Sequence, residues 1–169
     1  MAFPFRGVDF MEIDSLLTEE EKLVRQTARG FVENEVIPII EEHNREGKFP
    51  KHLVAKMAEL GFLGANLHGY DCAGMSNVEY GLIMQELERG DSGLRSFVSV
   101  QGALVMYPIL TFGSEEQKQR WLPAMQRGEA VGCFGLTEPD FGSNPSGIDR
   151  KSTRLNSSHI QKSRMPSSA

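Results

Sequence analysis

What the chain has little of narrows its possibilities first. Its 169 residues hold only two cysteines, Cys72 and Cys133, far apart in sequence. That excludes a disulfide framework and leads us to expect the reduced thiols of an intracellular protein. Basic excess is missing too: a formal net charge of −5 argues against a general nucleic-acid binder, whose backbone contacts need clustered Lys and Arg. The opening MAFPFRGVDFMEIDSL has neither the basic stretch and apolar run of a secretory signal nor the Arg- and Ser-rich character of a transit peptide. We therefore expect a bacterial cytoplasmic origin, or a mitochondrial matrix protein whose leader is missing. No uninterrupted apolar run approaches the ~20 residues that span a bilayer, so membrane insertion is not expected. His43, His52 and His68 lack metal-ligand spacing, as do the cysteines, and no metal site is expected.

Helical signals fill most of the chain. Thr18 and Glu21 form a capping box with Leu17 outside it. Behind them Val24, Ala28, Phe31 and Val32 recur at three- and four-residue steps. Pro38 should interrupt or kink this helix. Pro50 suits the first turn of a second helix, ending at Leu60 with Gly61 as the stop. The glycine-rich GFLGANLHGYDCAGMS reads as a loop, and its GANLHG and GYDCAG pieces follow no strand, as a dinucleotide fingerprint would require. Ser76 and Glu79 open the next helix, running through Tyr80, Ile83 and Leu87 to Gly90. Asp91 or Ser92 caps another, with Val98, Ala103, Leu104 and Val105 in its apolar run and Pro108 obscuring its register. Ser114 and Gln117 cap the last, which ends near Gly128 with Trp121 and Met125 on one face. From Ala130 the pattern changes, and VGCFGLTEP reads as a strand running into a turn.

After Gly147 the character changes again. DRKSTRLNSSHIQKSRMPSSA has no aromatic residue and no coherent period. Lys151 through His159 match translation of AAG AGC ACA CGT CTG AAC TCC AGT CAC, part of a common sequencing adapter. GAT CGG ahead of it gives Asp149 and Arg150, and TCT CGT ATG CCG TCT TCT GCT gives Ser163 through Ala169. The expectation is a non-native or disordered tail over 149–169, which is set aside from fold and function.

The stretch from Tyr80 to Gly147, above all DSGLRS and CFGLTEP with GS soon after, resembles the acyl-CoA dehydrogenases. ELGFLG (Glu59–Gly64) and GYDCAG (Gly69–Gly74) extend the likeness upstream. DSGLRS favours the branch that oxidises glutaryl-CoA. The resemblance implies an all-α architecture: a helical N-terminal domain over 1–129, then only the first strand of a truncated middle β domain over 130–148. It further implies an FAD enzyme that removes an α proton with a carboxylate while hydride leaves the β carbon for flavin N5. In the glutaryl branch decarboxylation to crotonyl-CoA and CO2 follows. Electrons pass on to electron-transfer flavoprotein, and the full-length parent forms a homotetramer.

Residue by residue, Arg95 matches the arginine that receives a distal substrate carboxylate, a role suited to a permanently charged fork of donors. Ser96 beside it can add a neutral hydrogen bond, and Ser143 matches a residue near the CoA part. Phe134, Gly135, Leu136, Thr137, Glu138, Gly142 and Ser143 match the segment that wraps the flavin, with backbone amides and the Thr137 hydroxyl as donors. Phe141 stands where a small polar residue is usual, and Asn144 where an aspartate is. Residue type alone leaves Arg95 open to being a surface ion pair, Ser96 a local cap, Phe134 and Leu136 core residues, and Glu138 with Pro139 a turn. Glu86, Glu88 and Asp91 are not assigned as the base, which the family carries in its C-terminal domain. No catalytic residue is expected in this chain, which should be an inactive fragment. The alternatives are a short-chain acyl-CoA dehydrogenase without decarboxylation and a non-catalytic helical interaction module.

Overall fold

In a computed structural model the chain is described over residues 10–139, 141–144 and 146. The 149–169 tail lies outside the described residues. Two compact units divide at Cys133 and Phe134.

Helices make up the first unit. A short turn, Ile13–Leu16, leads into α1 (Glu19–Phe31), which runs unbroken through a wide turn, Val32–Val36, into α2 (Ile37–Glu46). Then come α3 (Leu53–Glu59), α4 (Asn77–Gly90) and α5 (Ser92–Ser99). A second wide turn, Val100–Met106, joins α5 to α6 (Tyr107–Phe112), and α7 (Glu115–Gln126) closes the unit. All three capping boxes form: Thr18, Ser76 and Ser114 each accept from the amide three residues on and are reciprocated by Glu21, Glu79 and Gln117. Asp91, rather than Ser92, caps α5 by accepting from the Leu94 amide at 2.7 Å.

Neither proline ends its helix. The amide just before Pro38 (Ile37) donates five residues back, to the Val32 carbonyl, and the amide before Pro108 (Tyr107) likewise reaches Gly102. Each extra residue of turn gives the pyrrolidine ring room and skips the hydrogen bond that proline cannot make. The second helix starts at Leu53, three residues after Pro50, and ends against Gly61, whose φ of 73° favours glycine.

Two cores hold the unit together. Ala28, Phe31, Val32, Leu53, Phe62, Ile83 and Val98 belong to the larger, where Phe31 and Phe62 meet edge to face at 5.8 Å. Leu67, Met106, Leu122 and Met125 form the smaller. Leu122 takes the inward position expected of Trp121, whose ring lies instead under the Arg120 guanidinium, 4.7 Å from its centre. Ala103 and Leu104 are exposed, and Val98, Gln101 and Met106 supply the buried face.

Helix α4 lies close against the wide turn that follows α1 because Gly90 has no side chain. A Cβ there would fall 2.7 Å from Val32 Cγ1. Beside this contact Glu86 is buried, accepting from Arg29 Nε and Nη2 at 3.2 and 2.7 Å and from Arg89 Nε at 2.9 Å. The continuous helix Ser92–Phe112 is long and apolar enough, by length and composition alone, to cross a membrane. Here it packs Leu94, Val98 and Met106 into the helical unit.

The expected first strand of a β domain is absent. No strand occurs among the described residues, and the one ladder-like contact is an isolated antiparallel bridge between Glu138 and Phe141. The fold of the described residues is all-α, without the strand that the sequence suggested. A strand needs a neighbour to pair its amides and carbonyls, and residues 131–137 have no such neighbour among the described residues.

Candidate substrate and cofactor elements

Arg95 sits one turn into α5, half-buried, and its direction is set from α4. Its Nε donates to Glu88 Oε2 at 2.6 Å, while Ser92 Oγ donates to Glu88 Oε1 at 2.7 Å. Asp91 makes this possible: its extended backbone breaks the helix between Glu88 and Arg95, so two helix ends face one another. The hydrogen bonds from Arg95 and Ser92 hold the Glu88 carboxyl below the ordinary carboxylate range. Burial pushes the nearby Tyr80 phenol up, and the positive Arg95 partly opposes that rise. With Nε committed to Glu88, the two terminal amino groups of the Arg95 fork have no protein partner among the described residues.

Ser96 follows on the same helix, partly buried. Its carbonyl accepts from Ser99 Oγ at 3.2 Å, and its hydroxyl makes no cap hydrogen bond among the described residues. The local-cap alternative therefore has no support, whereas the ion pair considered for Arg95 is present.

The residues expected around a cofactor lie in the second unit. Phe134, Gly135, Leu136 and Thr137 are exposed and outside any helix or strand, so Phe134 and Leu136 are not core residues here. Glu138 and Phe141 exchange two backbone hydrogen bonds, of 3.1 and 3.2 Å, around Pro139, which fits a turn-building role. Gly142 and Ser143 follow in an exposed bend, and the Ser146 hydroxyl donates to Asn144 Oδ1 at 2.7 Å. The structure thus brings Arg95 and Ser96 together in one unit and strings Phe134 to Ser143 along the other.

Three carboxylates that could pass for a base are otherwise engaged. Burial raises the Glu86 carboxyl, but hydrogen bonds from Arg29 and Arg89 outweigh it and leave it below its ordinary value. Glu88 holds Arg95, and Asp91 caps α5. Sequence reasoning missed the Glu86 cluster, in which Arg29 lies 57 residues from the carboxylate it binds. It also missed Gln101, although a lone amide in the apolar run VSVQGALVM signals a buried polar group that must find partners. Tyr70 escaped notice as well: held at φ 54°, it donates to both oxygens of Glu115, at 3.1 and 2.9 Å.

A helical unit carrying a half-committed arginine is followed by a segment of exposed backbone. Residues 18–129 match the family model described as "Acyl-CoA dehydrogenase, N-terminal domain", and the chain belongs to the acyl-CoA dehydrogenase family. Among its relatives is the mitochondrial short-chain specific acyl-CoA dehydrogenase of Bos taurus, 39% identical over 129 residues, covering 76% of this chain and 31% of the relative. Among solved structures, the glutaryl-CoA dehydrogenase of Mycobacterium smegmatis in complex with FADH2 is 51% identical with a TM-score of 0.79, over 81% of this chain and 36% of that one. The butyryl-CoA dehydrogenase of Megasphaera elsdenii is 31% identical with a TM-score of 0.71, over 84% and 37%. The chain spans about a third of the length of these relatives.

Proposed function

We propose that the full-length protein oxidises an acyl-CoA thioester with FAD, and that its substrate is glutaryl-CoA, released as crotonyl-CoA and CO2. One observation carries the choice of a diacid: the Arg95 fork, braced at Nε by Glu88, with both terminal amino groups left to a ligand. A second carboxylate on the acyl chain suits those donors, because a planar guanidinium matches a carboxylate with two parallel bonds. Ser96 adds a hydroxyl at the same end. A rigid brace matters, since a donor that is already oriented loses less freedom on binding.

The residues of the second unit suit the cofactor. Gly135 to Thr137 offer exposed backbone amides and one hydroxyl, and a Cβ at Gly135 would meet nothing within 4 Å, so a flat ring system could lie against this backbone. FAD, when bound, supplies the acceptor for the hydride that leaves the substrate's β carbon. Phe134, Gly135, Leu136, Thr137, Glu138 and Gly142 line it in this reading, and Ser143 serves both it and the CoA moiety. The α proton is taken by a carboxylate in the further length of chain that the relatives have, because Glu86, Glu88 and Asp91 are committed elsewhere. Electron-transfer flavoprotein is the expected electron acceptor and a homotetramer the expected assembly.

A short-chain monoacyl-CoA is the second reading, favoured by the likeness to the bovine short-chain enzyme. A monoacid would leave the Arg95–Glu88 pair as it stands. Arg95→Gln in the full-length enzyme separates the two. Losing a charged hydrogen-bonding partner should lower kcat/KM for glutaryl-CoA by about 30-fold or more, with butyryl-CoA turnover unchanged. Equal effects on both substrates would remove the diacid assignment and leave the family. The 169-residue chain alone should not bleach flavin absorbance when mixed anaerobically with FAD and glutaryl-CoA.

A further inference from the structure

Gln101 is almost wholly buried, yet it belongs to no part of the substrate arrangement above. Its side-chain amide is fully used. Nε2 donates to the carbonyls of Met125 at 3.3 Å and Ala130 at 2.8 Å, and Oε1 accepts from the Gly132 amide at 3.0 Å. One side chain thereby satisfies backbone groups on both sides of the last turn of the helical unit. The Met125 carbonyl also accepts from the Gly128 amide at 3.1 Å, but the Ala130 carbonyl and the Gly132 amide lie past the helix, where the described residues offer no sheet to pair them.

A second contact fixes the same stretch sterically. Gly132 lies so close to Val105, four residues beyond Gln101, that a Cβ there would come within 2.3 Å of Val105 Cγ1. Both Gln101 and Val105 sit in the wide turn Val100–Met106. That turn shifts the helical register, and with it the faces on which the two side chains emerge. The same unbroken helix, Ser92–Phe112, carries Arg95 six residues before Gln101.

We propose that Gln101 is a positioning residue: it fixes the backbone of Ala130–Gly132, and so the point from which the cofactor segment beginning at Phe134 departs. This rests on the reading of Phe134–Ser143 as the cofactor segment. The helix that carries Arg95 thus also holds Ala130–Gly132, through Gln101. Positioning of this kind governs catalysis through geometry, since misplacement by about 1 Å can cost roughly 100-fold in rate.

Gln101→Met keeps length and apolar stem while removing all three hydrogen bonds, and Gln101→Glu keeps only the acceptor. Hydrogen exchange on the 169-residue chain should show amides of Ala130–Phe134 exchanging about tenfold faster in Gln101→Met, with α1 and α4 as protected as before. In the enzyme at its relatives' full length, the same variant should bind FAD about tenfold more weakly and shift the spectrum of the bound flavin, while the KM for glutaryl-CoA changes little. Gln101→Glu keeps the Gly132 bond but sets a carboxylate oxygen against the Met125 and Ala130 carbonyls, so it should loosen Ala130–Phe134 at least as much as Gln101→Met. Unchanged exchange at Ala130–Phe134, or a uniform loosening of every helix, overturns the positioning role. Local loosening with unaltered flavin affinity and spectrum overturns it too, and leaves the family reading, tested at Arg95, intact.

Discussion

Replacing Arg29 and Arg89 together by methionine should cost the helical unit about 3–5 kcal/mol, the usual penalty for leaving a buried charge without partners. The carboxylate concerned is that of Glu86, whose side chain is 1% exposed. Three hydrogen bonds from the two arginines satisfy it, at 2.7, 2.9 and 3.2 Å. Each charge-assisted bond is worth about 1.5–3 kcal/mol, but the arginine side chains are 50% and 39% exposed and keep part of their hydration. The lower end, about 3 kcal/mol, is therefore expected. Methionine preserves the packed stems, so the loss reports on charge rather than on a cavity. Glu86→Gln should cost less, about 1–2 kcal/mol, because a neutral amide still accepts from Arg29 and the freed arginines turn to water. Urea denaturation followed by far-ultraviolet circular dichroism at neutral pH gives both values. The pH dependence follows from the sign of the shift. The Glu86 carboxyl is depressed in the folded state, its arginine bonds outweighing the upward push of burial. Its contribution is complete above the unfolded carboxylate value, about 4.3, and is lost as pH falls through the lower folded value. The stability gap between the original chain and Glu86→Gln should close over that acidic interval. A Glu86→Gln cost above that of the double arginine variant, or a gap that persists into strong acid, would refute the account of Glu86 as a charge stabilised by its arginines.

Two further outcomes follow from packing and burial. Gly90→Ala places a methyl 2.7 Å from Val32 Cγ1, a stiff side chain, and should destabilise by about 1–3 kcal/mol. Gly30→Ala meets nothing within 4 Å and should stabilise by about 0.5–1 kcal/mol. Thermal unfolding of both variants checks that one chemical change acts with opposite signs. Burial, with the negative Asp71 adding to it, pushes the Cys72 thiol up to about 11. Cys133 is exposed. Titration of the native chain with a thiol reagent at mildly alkaline pH should therefore consume one thiol quickly and the second much more slowly.

Local chemistry was open to reading residue by residue. Thr18 with Glu21, Ser76 with Glu79 and Ser114 with Gln117 begin helices because each box closes within one turn, so no distant partner has to be known. Gly61 stops a helix for an equally local reason. Motif carried the family as well: DSGLRS lies within residues 18–129, which the family model matches. The proline readings were incomplete, since whether a helix breaks or widens depends on what packs along it. Here Val32 and Met106, both in wide turns, are buried in the two cores.

Everything that needs a partner far along the chain was decided by tertiary structure. Glu86 becomes a buried ion only because α4 lies against α1, and nothing in LIMQELERG distinguishes it from the solvated Glu88 two residues on. Gln101 is a clamp only because the chain returns beside it at Gly132. The strand expected after Ala130 failed for the same reason. Alternating apolar residues make a segment able to pair, whereas pairing itself requires a second strand at hydrogen-bonding distance. Sequence determined the helices, their starts and the family. Long-range contact decided which polar groups are buried, which way the Arg95 fork points and where the chain leaves the helical unit, because those depend on positions that only folding brings together.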